Sequence, residues 1–144
     1  MRTTFALPKL LFTVAVSVAL AVAIHAAEKK TEGKVDLSKL PPASDKQGLT
    51  YENDIKPIFA KTCFKCHGPE KQKAKLRLDS LAAALKGSED TIVIVPGNSA
   101  KSVLLRNVAR IGDEDSFMPP EEKGTPLTKE QVGLIRAWIE QGAK

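Results

Sequence analysis

Cys63-Phe64-Lys65-Cys66-His67 is the stretch from which the rest of this chain is best read. It has the C-x-x-C-H form that attaches a c-type haem. Two thiols added across the haem vinyl groups are consumed as thioethers, and the histidine that follows is held under the iron as the proximal ligand. The residue inventory sharpens the reading. Both cysteines of the chain lie in the motif, the second histidine is His25, and the second methionine is Met1. With His25 expected to be removed and Met1 the initiator, His67 and Met118 are the one His/Met pair left for iron.

The amino-terminal residues read as an export signal. Arg2 and Lys9 make a basic start, Leu10 to Ile24 is apolar apart from Thr13 and Ser17, and small residues follow. This pattern predicts a signal peptide over 1–26, with Ala26 as its last residue. The run is shorter than the roughly 20 apolar residues of a membrane span, so no stable span is expected after processing. An uncleaved amino-terminal anchor is the alternative. Residues 27–49 are rich in Lys, Glu, Ser and Asp, carry Pro41-Pro42, and lack a sustained apolar period. That composition predicts a flexible polar tether. Residues 50–144, about the size of one compact domain, form the expected folded unit. Its core is modest and its aromatic residues few, and a covalently held haem would give the side chains a large apolar body to pack around.

The formal charge is +5, and loss of Arg2 and Lys9 takes it to +3. That is too mild a balance to argue for nucleic acid. Its distribution says more. Lys56, Lys61, Lys65, Lys71, Lys73, Lys75 and Arg77 surround the motif, whereas Asp113, Glu114, Asp115, Glu121 and Glu122 surround Met118. Two solvated loops are one reading. A positive rim that steers an acidic redox partner is the other.

Helical signals dominate the folded region. Tyr51 to Thr62 predicts a short helix leading into the motif, with Ile55, Ile58 and Phe59 at helical spacing. Pro57 is tolerable only near the start of that helix, and Gly68-Pro69 ends any continuation beyond His67. Ser80 to Lys86 reads as a short helix stopped by Gly87. Ile92-Val93-Ile94-Val95 reads as an extended segment lining the haem pocket. Asn98 or Ser99 can cap a helix near Ala100 to Arg110. Thr128-Lys129-Glu130-Gln131 has capping-box form. The stripe Val132, Ile135, Trp138 and Ile139 then predicts a last helix ended by Gly142, with Trp138 packing in the core and near the haem.

Filling both axial positions with protein gives an electron-transfer haem. A thioether is a soft ligand that favours the reduced iron and raises its potential. Met118 sits in Phe117-Met118-Pro119-Pro120, where two prolines of fixed φ predict an extended, stiff segment. A core methionine, a lysine ligand or an open sixth site are the alternatives for Met118. For the cysteines, a zinc site lacks a fourth Cys or His ligand. A thiol–disulfide exchanger lacks the strand that usually precedes its motif, and a plain disulfide would close a very small loop.

The ordered set of motifs resembles the planctomycete-type cytochrome c domains, a class I-like monohaem family found in planctomycetes and verrucomicrobia. The matching pieces are Ile55-Lys56-Pro57-Ile58-Phe59, Cys63 through Gly68, Leu76-Arg77-Leu78-Asp79-Ser80, Val95-Pro96-Gly97-Asn98 with Ser102 and Leu104, Met118-Pro119-Pro120, and Trp138-Ile139 with Gly142-Ala143. The resemblance implies an all-α, small cytochrome c-like fold of three to five helices around one covalent haem c. It implies Cys63, Cys66, His67 and Met118 as cofactor-binding residues, and His67 (proximal) and Met118 (distal) as the metal ligands. It further implies single-electron transfer between redox partner proteins in the periplasm, agreeing with an export signal because c-type haem is attached outside the cytoplasm. No catalytic residues are expected, and the chain is read as no enzyme. Arg77 either lies near a haem propionate or pairs with Asp79. A haem-based sensor or small-ligand binder with a labile sixth site is the alternative function, and a haem-free disulfide enzyme a third.

Overall fold

In the computed structural model, which describes residues 36–144, the approach to the motif starts at Thr50. The Thr50 hydroxyl accepts the Asn53 N–H at 3.3 Å. The chain then makes one wide π-helical turn, Tyr51–Ile55, before α1 (Lys56–Thr62) begins. The sequence predicts one helix over this span, and Pro57 is the reason it is divided. Proline has no N–H to give to the turn before it, and the widened turn accommodates this by sending the Lys56 N–H back to the Tyr51 carbonyl. Cys63 is the joint between α1 and α2 (Phe64–His67).

Beyond the motif, Ser80 caps α3 (Leu81–Lys86), accepting the Ala83 N–H, and Gly87 ends it at φ +85°. Residues 92–95, expected to be extended, are assigned to no helix or strand; Ile94 is fully buried while Ile92 is exposed. The helix expected near Ala100 to Arg110 is shorter: Asn98 caps a 3₁₀ turn, Ser99–Lys101, and α4 runs Val103–Val108. The break falls at Ser102, whose buried hydroxyl serves the loop instead of a helix. It accepts the Val95 N–H and donates to the Asn98 carbonyl, each at 2.9 Å. Serine's competition with backbone partners is the physical cause. α5 (Lys129–Glu140) starts at the predicted capping box: Thr128 Oγ1 accepts the Gln131 N–H at 3.3 Å, and Gln131 Oε1 accepts the Thr128 N–H at 2.9 Å.

The described part is all-α, with no strand among the described residues. Its core gathers around Trp138, Tyr51 and Phe59, each almost wholly buried. Tyr51 stands 6.0 Å from Trp138 and 6.3 Å from Phe59 between ring centroids, in tilted pairs of the sort that add to simple area burial. The Tyr51 hydroxyl donates to the Leu78 carbonyl, so the aromatic core is tied to the segment that follows the motif.

The tether expected over 27–49 is corrected for its described part. Leu40 and Leu49 are buried, and the backbone between them is held by α5 and the residue just beyond it. The Ser44 N–H donates to the Gly133 carbonyl at 3.0 Å, Arg136 Nη1 to the Pro41 carbonyl at 2.9 Å, and Gln141 Nε2 to the Lys46 carbonyl at 2.8 Å. Two leucines and three such bonds anchor a polar stretch whose composition alone predicts disorder. The predicted signal peptide, 1–26, lies outside the described residues.

Candidate cofactor-binding site

α1 and α2 present the motif to a cleft. Cys63 and His67 line it from one side, with Phe59 one turn earlier on α1. Leu76 and Leu78 come from the segment after the motif, Val93 from the apolar run 92–95, and Leu104, Asn107 and Val108 from α4. Met118 completes the wall from its loop. The lining is hydrocarbon and sulfur apart from His67 and Asn107, so the cleft suits a large apolar body that meets a few polar or metal-binding atoms.

Local geometry explains how the motif is shaped. The Cys63 carbonyl accepts the N–H groups of Cys66 (3.0 Å) and His67 (2.8 Å), which winds the five residues into a single turn. The His67 carbonyl accepts the Leu78 N–H at 2.8 Å, drawing the following segment back along the motif. Gly68 follows because a β-carbon there would overlap the Phe64 carbonyl oxygen. Gly68 is thus more than the helix stop its sequence predicts; its close approach to backbone is a further requirement.

Both cysteines are free thiols and half-buried. Burial pushes the Cys63 thiol up to about 12, and the neighbouring Cys66 adds to the rise. Burial also holds the His67 ring below the usual histidine pKa, against the opposing pull of the Leu76 and Lys73 carbonyls. A neutral imidazole keeps a nitrogen lone pair for a metal. His67 Nδ1 is buried and has no hydrogen-bond partner, a costly arrangement for a ring nitrogen with no further task. Two thiols, an imidazole with an orphaned nitrogen and a thioether are the donor types a c-type haem requires, so the residues present fit that group.

Met118 is held through its backbone. Its N–H donates to the Asn107 carbonyl at 3.0 Å, and the Met118–Pro119 peptide bond is cis. The loop on either side carries 3₁₀ turns at Glu114–Ser116 and Glu121–Lys123. Cys66 is the one predicted site residue that does not line the cleft. Trp138, expected in the core and near the haem, is in the core alone, its Nε1–H spent on the Lys144 carbonyl at 2.9 Å. Arg77 makes a two-point contact with the Asp79 carboxylate, at 2.9 and 2.7 Å, the second of the two roles read for it. Sequence reasoning missed Asn107, because a single asparagine on an apolar helix carries no pattern.

The basic run around the motif is partly neutralised. Lys56 pairs with Glu52, Lys75 with Glu89 and Arg77 with Asp79, while Lys61, Lys65, Lys71 and Lys73 are exposed. No helix among the described residues is long and apolar enough to cross a membrane.

No curated protein and no solved structure matches the chain. A family model described as Planctomycete cytochrome C matches residues 63–122. The matched stretch opens on Cys63 and runs past Met118, so it spans the motif, α3, α4 and the methionine loop. Together with the all-α architecture and the cleft, this match supports a planctomycete-type cytochrome c domain over residues 63–122.

Proposed function

We propose that the protein is a periplasmic monohaem c-type cytochrome that passes single electrons between redox partner proteins. A cytochrome c domain implies haem c and, in general, an electron carrier. The observation that carries the finer reading is the convergence of Cys63 at the α1–α2 joint, His67 at the end of α2, and Met118 from a loop about fifty residues on, upon one apolar cleft.

In this reading Cys63 and Cys66 would hold the haem covalently, and His67 and Met118 would be the ligands to its iron. The haem, when bound, supplies a one-electron couple. The chain's own residues tune and protect it. Leu76, Leu78, Val93, Leu104 and Val108 keep water from the cleft, which disfavours the more highly charged oxidised state, and the Met118 thioether acts in the same direction. The exposed lysines near the motif supply the charge for steering an acidic partner. Export is part of the same reading, with 1–26 as the leader.

The test is a spectrum and a gel. Protein produced with an export signal in a haem-attaching host is expected to keep a haem stain after denaturing electrophoresis. Its oxidised form is expected to show the near-infrared sulfur-to-iron charge-transfer band of His/Met ligation. A stain without the band points to the sensor reading with an open sixth site, and absence of the stain overturns the haem reading altogether.

A further inference from the structure

Arg110 touches the methionine loop at three places. Its guanidinium carbon lies 4.9 Å from the centroid of the Phe117 ring. Its Nη1 donates to the Pro119 carbonyl at 3.4 Å, and its Nη2 to Glu121 Oε1 at 2.7 Å. The first two contacts fall on the residues immediately before and after Met118. The side chain is only about a quarter exposed, so it packs against the loop along its length. Its backbone is itself unusual: Arg110 sits at φ +56°, just past the end of α4, a conformation a non-glycine residue adopts at some cost. Asparagine or glycine would meet that backbone more cheaply, yet neither could reach Phe117 and Pro119 together.

We propose that Arg110 is a positioning residue for Met118, a guanidinium clamp that holds the loop so that the thioether stays on the iron. The proposal rests on the reading of Met118 as the sixth ligand. The stack on Phe117 and the carbonyl contact carry the effect. The ion pair carries little, since Glu121 is 82% exposed and surface pairs are weak. A thioether is a weak ligand that competes with any stronger base able to enter. Loosening its loop therefore shows first as easier displacement, before any change in the fold.

The experiment uses the haem-loaded protein and imidazole as the competing ligand. Arg110→Gly and Arg110→Asn are the informative variants, because both residues accept the left-handed backbone and neither introduces strain. Each is expected to bind imidazole about tenfold more tightly than the parent, from loss of the ring and carbonyl contacts. The Met118 amide should exchange its hydrogen faster, while the thermal midpoint of the helices stays within a few degrees of the parent's. An imidazole affinity within twofold of the parent's, in a protein where Met118→Ala abolishes the sulfur band, overturns the clamp and leaves the ligand reading standing. A Met118→Ala variant with the parent's spectrum overturns both.

Discussion

The N–H of Met118 donates to the carbonyl of Asn107, 3.0 Å away, so the loop that carries the thioether hangs from the last turn of α4. Carbonyls at a helix end have no partner within the helix. Here one accepts both the Arg110 N–H, at 3.2 Å, and that of Met118, whose side chain lines the cleft as Asn107 does. Helix end and methionine loop are thus one unit.

Replacing Met118 with alanine is expected to lower the reduction potential of the haem-loaded protein. The thioether favours reduced iron, and a tenfold loss of that preference corresponds to about 59 mV for one electron. A fall of at least that size, with carbon monoxide binding gained by the reduced form, is the expected result of a potentiometric titration. An unchanged potential removes Met118 from the ligand set.

Changing Cys63 and Cys66 together to alanine should leave a chain that still has His67 and the cleft but no covalent attachment. Denaturing electrophoresis followed by haem staining should then be blank, where the parent stains. A stained double variant would show that attachment does not run through these sulfurs.

Gly133 tests whether residues 36–49 belong to the fold. A β-carbon at Gly133 would meet the Pro42 carbonyl oxygen at 2.6 Å, and the Gly133 carbonyl accepts the Ser44 N–H. On an unencumbered helix, Gly133→Ala gains up to about 1 kcal/mol from helix propensity. Against that backbone oxygen the sign should reverse, to a loss of about 1–2 kcal/mol, with faster proteolysis between Pro42 and Leu49. Denaturant melts decide the matter, since a stabilised variant means the segment does not pack on α5.

Acid should weaken the same region. Asp54 accepts from Lys46 Nζ and from the Thr50 N–H, and these two hydrogen bonds hold its carboxyl below the usual aspartate value. The Asp79 carboxyl is lowered by Arg77. For a depressed carboxyl, the stabilising contribution is complete above the unfolded pKa of about 3.9 and is lost as pH falls through the lower folded value. Urea midpoints should therefore be flat from about pH 7 to pH 5 and drop below about pH 4. Asp54→Asn should make the drop shallower, and an identical acid limb in that variant would clear Asp54 of any part in it.

The helices were legible where a local rule acts alone. Thr128 and Gln131 form the box their spacing predicts, Ser80 and Gly87 bracket α3, and Val132, Ile135, Trp138 and Ile139 are buried as their period requires. The motif and Met118 stand out in the sequence because the chain offers so few Cys, His and Met residues, and Cys63, His67 and Met118 line one cleft. What stayed hidden depends on contacts between distant residues. Composition could not show that Leu40 and Leu49 join the buried core, nor that Ser102 would turn its hydroxyl to Val95 and Asn98 and shorten α4. The role of Arg110 depends on a left-handed backbone past a helix end, which no residue pattern announces.

The docking of residues 36–49 along α5 has a mechanical consequence. Whatever lies amino-terminal to Asp36, a pull on it enters the domain through Pro41, Ser44 and Lys46, and so through Gly133, Arg136 and Gln141. None of those residues borders the cleft. Such a pull is met first by the carboxy-terminal helix and the residue just beyond it, and not by residues that line the cleft.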